Sequence, residues 1–186
     1  MLLVEITVPL LVALIVLWID RKLRDNDEFD SVMDGLVGEL CQNLSIVRTQ
    51  EVGIDRIVDL MKKGGWNTTP DPLLSNDAYH RAVASEVFFR DMRKNSEGVV
   101  RNLMEHYASQ EVVNEGIRQL NQAKFDYLVF RNISISAFEV LFAQQKETIE
   151  KVIEPSIVGI LIMVSSIKTK YRKTIGLYVN LPSKVK

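Results

Sequence analysis

The apolar positions along the chain follow two different rules. Residues 1–19, MLLVEITVPLLVALIVLWI, are apolar on every face of a helix, and Glu5 is the sole ionisable side chain among them. From Phe29 onward the apolar residues recur three and four apart, with polar residues between. The first rule describes a segment surrounded by hydrocarbon; the second describes helices with one buried face.

Eighteen helical residues reach ~27 Å, just short of the ~30 Å hydrocarbon core of a bilayer. The stretch from Leu2 through Pro9 and Leu14 to Trp18 therefore predicts an upright membrane anchor, with Glu5 at one headgroup level and Trp18 at the other. Pro9 is tolerated near the start of a membrane helix. Arg21, Lys22 and Arg24 follow directly and no Lys or Arg comes before. The positive-inside rule then puts the N-terminus outside and the body in the cytoplasm, as a single-pass protein of the cell membrane. A cleaved signal peptide would carry its positive charge ahead of the apolar run, the reverse of what is seen.

Beyond the anchor, Phe29, Met33, Leu36, Leu40, Asn43, Val47, Gln50, Ile54, Ile57 and Met61 form one seam with alternating spacing of four and three. This predicts a helix from about Phe29 to Lys63, stopped by Lys62-Lys63-Gly64-Gly65. Trp66 to Asn76 predicts a loop, because Pro70 and Pro72 exclude a regular helix. A second helix is expected from Asp77, a break near Ser96, and a third helix from Glu97 to about Lys124 with Val99, Leu103, His106, Val113, Ile117 and Leu120 on its buried stripe. Phe125 to Ser136 is rich in β-branched and aromatic residues, but it has no partner strand and is expected to be a helix end or packed loop. A last helix is expected from Ser134 or Ser136, with a kink or restart at Pro155. Ser156 to Ile167 is apolar but only ~18 Å long as a helix, so a core or interfacial helix is expected there, with a second membrane-inserted element as the alternative.

The resulting fold class is all-α: an N-terminal transmembrane helix followed by an antiparallel bundle of about four helices. Residues 1–24 are the anchor and its charged juncture, 25–167 the helical cytoplasmic bundle, and 168–186 a basic tail, expected to be loosely ordered from Ile175 on.

Charge alters this picture at two places. The whole chain is balanced, with 23 Lys and Arg against 24 Asp and Glu. Residues 25–47 nevertheless carry acids only, and after Glu154 there are bases only. Lys168, Lys170, Arg172 and Lys173 are thus expected either on an anionic membrane surface or against the acidic segment. Cys41 is the single cysteine, which excludes an intrachain disulfide and suits a reducing compartment.

Chemistry-bearing patterns are sparse. Asp77 and His80 make one carboxylate–imidazole pair at helical spacing, whereas a di-iron bundle needs two such pairs and further carboxylates. No nucleophile–base–acid set can be assembled, and Gly64-Gly65 lacks the spacing of a phosphate loop. The expectation is a protein without catalytic activity, cofactor or metal, and without nucleic acid as partner. Asn43, Gln50 and Asn114, together with Asn121, are expected as seam amides that fix helix register.

Three stretches carry a likeness: Gly38-Glu39-Leu40-Cys41-Gln42-Asn43-Leu44, the Trp- and Pro-containing loop, and His106-Tyr107-Ala108-Ser109-Gln110-Glu111-Val112-Val113-Asn114-Glu115. Behind an anchor and a charged juncture, they give the chain an outline that resembles small uncharacterised prokaryotic single-span membrane proteins with a helical cytoplasmic domain. The resemblance implies topology and brings no activity. The function expected is a membrane-anchored interaction or scaffold module that meets lipid and either a second copy or another membrane protein. The alternative is a membrane-active or transport-accessory protein in which 156–167 inserts.

Overall fold

A single helix, α1 (Leu2–Lys62), carries both patterns without interruption. The computed structural model describes residues 2–63, 65, 70–130 and 134–181, and their side chains except at 2–12, 61, 93–95, 127–130 and 135. All regular structure among these residues is helical. The expected separation between anchor and seam helix is absent: residues 20–28 contain no Gly or Pro, and Asp20 pairs with Arg24 one turn on, so nothing breaks the helix.

The remaining helices are α2 (Asp77–Ala84), α3 (Glu86–Phe130), α4 (Ile135–Thr148), α5 (Glu154–Ile167) and α6 (Arg172–Ile175). The expected second helix divides at Ser85, whose extended backbone separates α2 from α3. The break expected near Ser96 is there as a kink in α3, with Ser96 at φ −168° and ψ 64°. α3 then continues to Phe130, so the β-prone stretch from Phe125 begins as helix; residues 131–133 lie outside the described residues. Ser134 caps α4 by accepting from the Ala137 N–H.

Between α4 and α5 the backbone widens into one π turn, Ile149–Ile153, in which the Glu154 N–H reaches the Ile149 carbonyl. Pro155 follows immediately and has no N–H to offer the preceding turn, which accounts for the irregularity there.

Cross-helix pairs give the directions of the rods. Asp25–Arg90, Glu39–Tyr107 and Asn43–Gln110 advance together, so α1 and α3 are parallel. Asp30–Lys168, Arg48–Glu154, Asp55–Lys146 and Lys62–Glu139 advance oppositely, so α4 and α5 run antiparallel to α1. The expected all-antiparallel arrangement is therefore corrected at α1 and α3. Residues 70–76 and α2 supply the return leg that a parallel pair requires.

The seam is the core. Its described residues from Phe29 to Ile57 are all buried, Asn43 and Gln50 included, and the apolar ones from Phe29 to Val47 share a cluster with Val99, Leu103, Val113 and Ile117 of α3 and with Ile157, Ile160, Leu161 and Val164 of α5. α5 is thus a core helix. A smaller cluster of Ile54, Ile57, Leu120, Ala123, Phe138 and Phe142 closes the far end. Leu60, Met104 and Val152 are apolar and exposed. The C-terminal segment is ordered further than expected: Tyr171, Ile175 and Val179 are buried in the main cluster, and apolar burial at every fourth residue holds the segment down.

Candidate functional site

Three features emerge from this fold: a projecting apolar arm, a polar clamp and a cavity. The arm is the N-terminal part of α1. Leu14, Ile15, Val16, Leu17, Trp18 and Ile19 are 46–63% exposed, and Leu23 also faces out. A helix apolar on all sides and bare on all sides lacks the neighbours that water demands. Lys22 lies over the Trp18 ring at 5.1 Å, and Arg21 and Arg24 are exposed beside it. The side chains of Leu2 and Pro9 lie outside the described residues. Among the described residues no helix is long and apolar enough to cross a membrane; the part of the apolar run whose side chains are described, from Ala13 on, reaches ~10 Å.

The clamp holds the return leg. A connection that runs between two helices without a ladder must find partners for those N–H and C=O groups that it turns away from water. Asparagine is suited to this because its amide offers one acceptor and two donors in a plane, like a peptide group. Asn114 accepts from the Leu74 N–H at 2.8 Å and donates to the Leu74 carbonyl at 2.9 Å. Asn121, two turns on, does the same for Asp71 at 2.8 and 3.0 Å. Asn43 does it from the α1 side for Ser75, at 2.9 and 2.7 Å, and Gln50 donates to the Pro72 carbonyl at 2.9 Å. The seam amides therefore face the return leg, and Asn43 also donates to Gln110 of the facing helix at 3.2 Å. Asn43 begins a glycosylation-type triplet, but its complete burial shields it in the folded chain.

Glu39 was not singled out by the sequence reading. Its carboxylate accepts from the Ser75 hydroxyl, the Ala78 and Tyr79 N–H groups and the Tyr107 hydroxyl. Burial, followed by the bond to Glu39, pushes the Tyr107 hydroxyl far above its ordinary titration range. Tyr79 stacks on Tyr107 with ring centroids 4.1 Å apart. Lys124, also missed, is 5% exposed at its side chain and reaches Asp71 at 2.7 Å. Both had a signal: Glu39 falls three residues after Leu36, and Lys124 four after Leu120, on faces that are otherwise apolar.

His106 lies beside this network, 1% exposed, with neither ring nitrogen hydrogen-bonded among the described residues. Burial pushes it down to about 4, against the pull of Gln110 and the Glu39 charge. Asp77 and His80 are both exposed on α2, and among the described residues no group of three or more His, Cys, Asp or Glu could hold a metal.

The acidic and basic ends of the chain meet. Lys168 lies 3.6 Å from Asp30, Lys170 lies 3.1 Å from Asp30 and 3.3 Å from Asp34, and the Tyr171 hydroxyl donates to Asp34 at 2.7 Å. Lys168 also covers the Phe29 ring. Lys173 faces outward, while Arg172 is half-buried.

The cavity, of about 580 Å³, lies between the second half of α1, Asp71-Pro72, α3 and the π turn. Gln145 forms part of its wall and donates to the Val113 carbonyl. That approach needs Gly116, since a Cβ there would stand 2.3 Å from the Gln145 Oε1. No family model, curated protein or solved structure matches the chain.

Proposed function

We propose that this chain is a membrane-anchored helical interaction module, in which residues 2–19 cross the bilayer and the bundle acts beneath it without catalytic activity. The bare arm carries the reading: seven described residues from Ala13 to Ile19 are exposed on every face and continue into an apolar sequence that completes ~27 Å of helix. Arg21, Lys22 and Arg24 then sit at the cytoplasmic headgroups. Because the helix is unbroken from Leu2 to Lys62, the anchor and the bundle core form one rod, and the body stands at a fixed angle to the membrane. Confinement to a surface raises effective concentration, so weak contacts with a second copy or another membrane protein suffice for assembly. The seam is occupied within the chain, which leaves the arm and the outer faces of the bundle as contact surfaces. Burial of Ile157, Ile160, Leu161 and Val164 favours this reading over one in which 156–167 inserts as a second membrane element.

The test is membrane retention under alkaline carbonate. The full chain is expected in the pellet, and Leu10→Asp with Leu11→Asp is expected in the supernatant, since each mid-span acid costs about 2.5–3.5 kcal/mol of insertion. Release of the unsubstituted chain overturns the reading. Cys41 is buried, so a cysteine at exposed Ser166 reports orientation alone. Its labelling by an impermeant maleimide in intact cells would reverse the topology.

A further inference from the structure

The cavity beside the clamp is open to solvent, and its volume falls in the range of small-molecule pockets. Its buried lining is apolar: Ile54, Ile57, Ile117, Leu120 and Ile149. Gly53 also lines it, and a Cβ there would meet nothing within 4 Å. The polar side chains of the wall are mostly engaged. Gln50 and Gln145 donate to the Pro72 and Val113 carbonyls, and the Thr49 hydroxyl donates to the Ser45 carbonyl of its own helix. The Asp71 carboxylate is paired with buried Lys124 at 2.7 Å. Arg56 differs: it is exposed, it lines the cavity, and it has no hydrogen bond or ion pair among the described residues. The charges near it on α1 are directed elsewhere. Arg48 meets Glu154 and the Tyr178 carbonyl, Asp55 meets Lys146, and Asp55 and Asp59 line a separate depression toward α4. The cavity wall therefore carries one uncompensated positive charge next to an apolar lining.

We propose that this cavity binds an aliphatic monocarboxylic acid, with its chain against the five apolar residues and its carboxylate paired with Arg56. A guanidinium offers a carboxylate two parallel N–H donors, and burial of the chain supplies the larger share of the affinity. The ion pair selects the acid over a neutral molecule of the same chain. The site lies in the bundle, more than 25 residues along the rod from the apolar arm, and the inference holds whether or not the arm is in a bilayer.

The experiment uses the full chain in phosphatidylcholine vesicles, a diazirine-bearing decanoic acid and the primary alcohol of the same chain. The buffer is held near pH 8, well above the carboxylate range. After photolysis and peptic digestion, adducts are mapped by mass spectrometry. The acid is expected to label peptides covering 45–60 and 117–120. Arg56→Gln is expected to lower that labelling about fourfold, the worth of one exposed ion pair, and to leave labelling by the alcohol unchanged. Comparing each probe with itself across the two chains cancels its partition into the vesicle. Gly53→Phe fills the space and is expected to abolish labelling by both probes at these peptides while helical circular dichroism is kept. Absence of acid adducts at these peptides, undiminished acid labelling in Arg56→Gln or in Gly53→Phe, or an equal loss of the alcohol in Arg56→Gln overturns the proposal. Labelling of the arm is scored separately: it reports contact with the bilayer and so distinguishes failure of the anchor reading from failure of the site.

Discussion

The Tyr107 hydroxyl donates to Glu39 Oε1 at 2.6 Å, and this bond joins the two parallel helices where the return leg passes between them. The other Glu39 oxygen accepts from the Ala78 N–H at 2.7 Å. Ala78 and Tyr79 are the second and third residues of α2, whose own N-cap, Asn76, makes no side-chain capping bond. Glu39 therefore caps α2 from another helix, where a negative charge also complements the positive end of the helix dipole.

From this follows an order of mutational cost. Tyr107→Phe removes one bond to a charged group and is expected to cost about 2 kcal/mol. Glu39→Ala leaves the Tyr107 hydroxyl and two N–H groups of α2 without a partner in a buried setting, and should cost about 3–4 kcal/mol. Urea denaturation measures both. Equal costs would mean that α2 is held by apolar packing alone.

Asn114 and Asn121 should differ by burial. Asn114 is 3% exposed and bonds both peptide groups of buried Leu74, so Asn114→Ala is expected to cost about 3 kcal/mol. Asn121 makes the same pair of bonds to half-buried Asp71, where water can replace it, and Asn121→Ala is expected to cost about 1 kcal/mol. Hydrogen exchange at the Leu74 amide checks the mechanism: it should quicken in Asn114→Ala and stay slow in Asn121→Ala.

Two glycines within helices should respond to alanine with opposite signs. At Gly53 the added Cβ enters open space and the helix gains propensity, so Gly53→Ala is expected to stabilise by about 0.5–1 kcal/mol. At Gly116 the Cβ displaces Gln145, which loses its bond to the Val113 carbonyl and is driven from a buried position. That loss outweighs the propensity gain, and Gly116→Ala is expected to destabilise by about 1 kcal/mol. Gln145→Ala made together with Gly116→Ala should recover part of the loss. Thermal melts of the three variants decide the matter.

Much of the architecture is legible in the spacing of apolar residues. The seam from Phe29 to Ile57 is buried as its period demands, and the breaks at Ser96 and Pro155 follow from local chemistry. Helix direction was not legible, because a buried stripe says that a helix packs and leaves open which way its neighbour runs. The role of the amides was half legible. Asn43 and Gln50 had to be buried, but their partner is a peptide backbone, and any sequence can supply a backbone. Glu39 was hidden by its charge, which reads as solvated until four donors are brought to it by residues 36 to 68 positions away. The meeting of Lys170 with Asp34 was half anticipated by the opposite charges of the chain's two segments.

His106 makes the clearest pH prediction. An unfolded histidine titrates near 6.5, and burial pushes the folded one down to about 4. Between these values the unfolded chain holds a proton that the folded chain does not, so falling pH favours unfolding. The stabilisation is complete above about pH 6.5 and is lost as the pH falls toward about 4, by about 3 kcal/mol in all. Asp34, held below the ordinary carboxylate range chiefly by the Tyr171 hydroxyl and then by Lys170, adds a further loss at lower pH. The difference between the unsubstituted chain and His106→Leu isolates the histidine. Leucine has no nitrogen to leave unpaired and nothing to protonate, so His106→Leu is expected to match or exceed the unsubstituted chain at pH 7. It should also keep its stability nearly flat from pH 6.5 to 4.5, where the unsubstituted chain declines. Denaturant midpoints at half-unit pH intervals give the two curves, and parallel curves would show that His106 is protonated as readily in the fold as out of it.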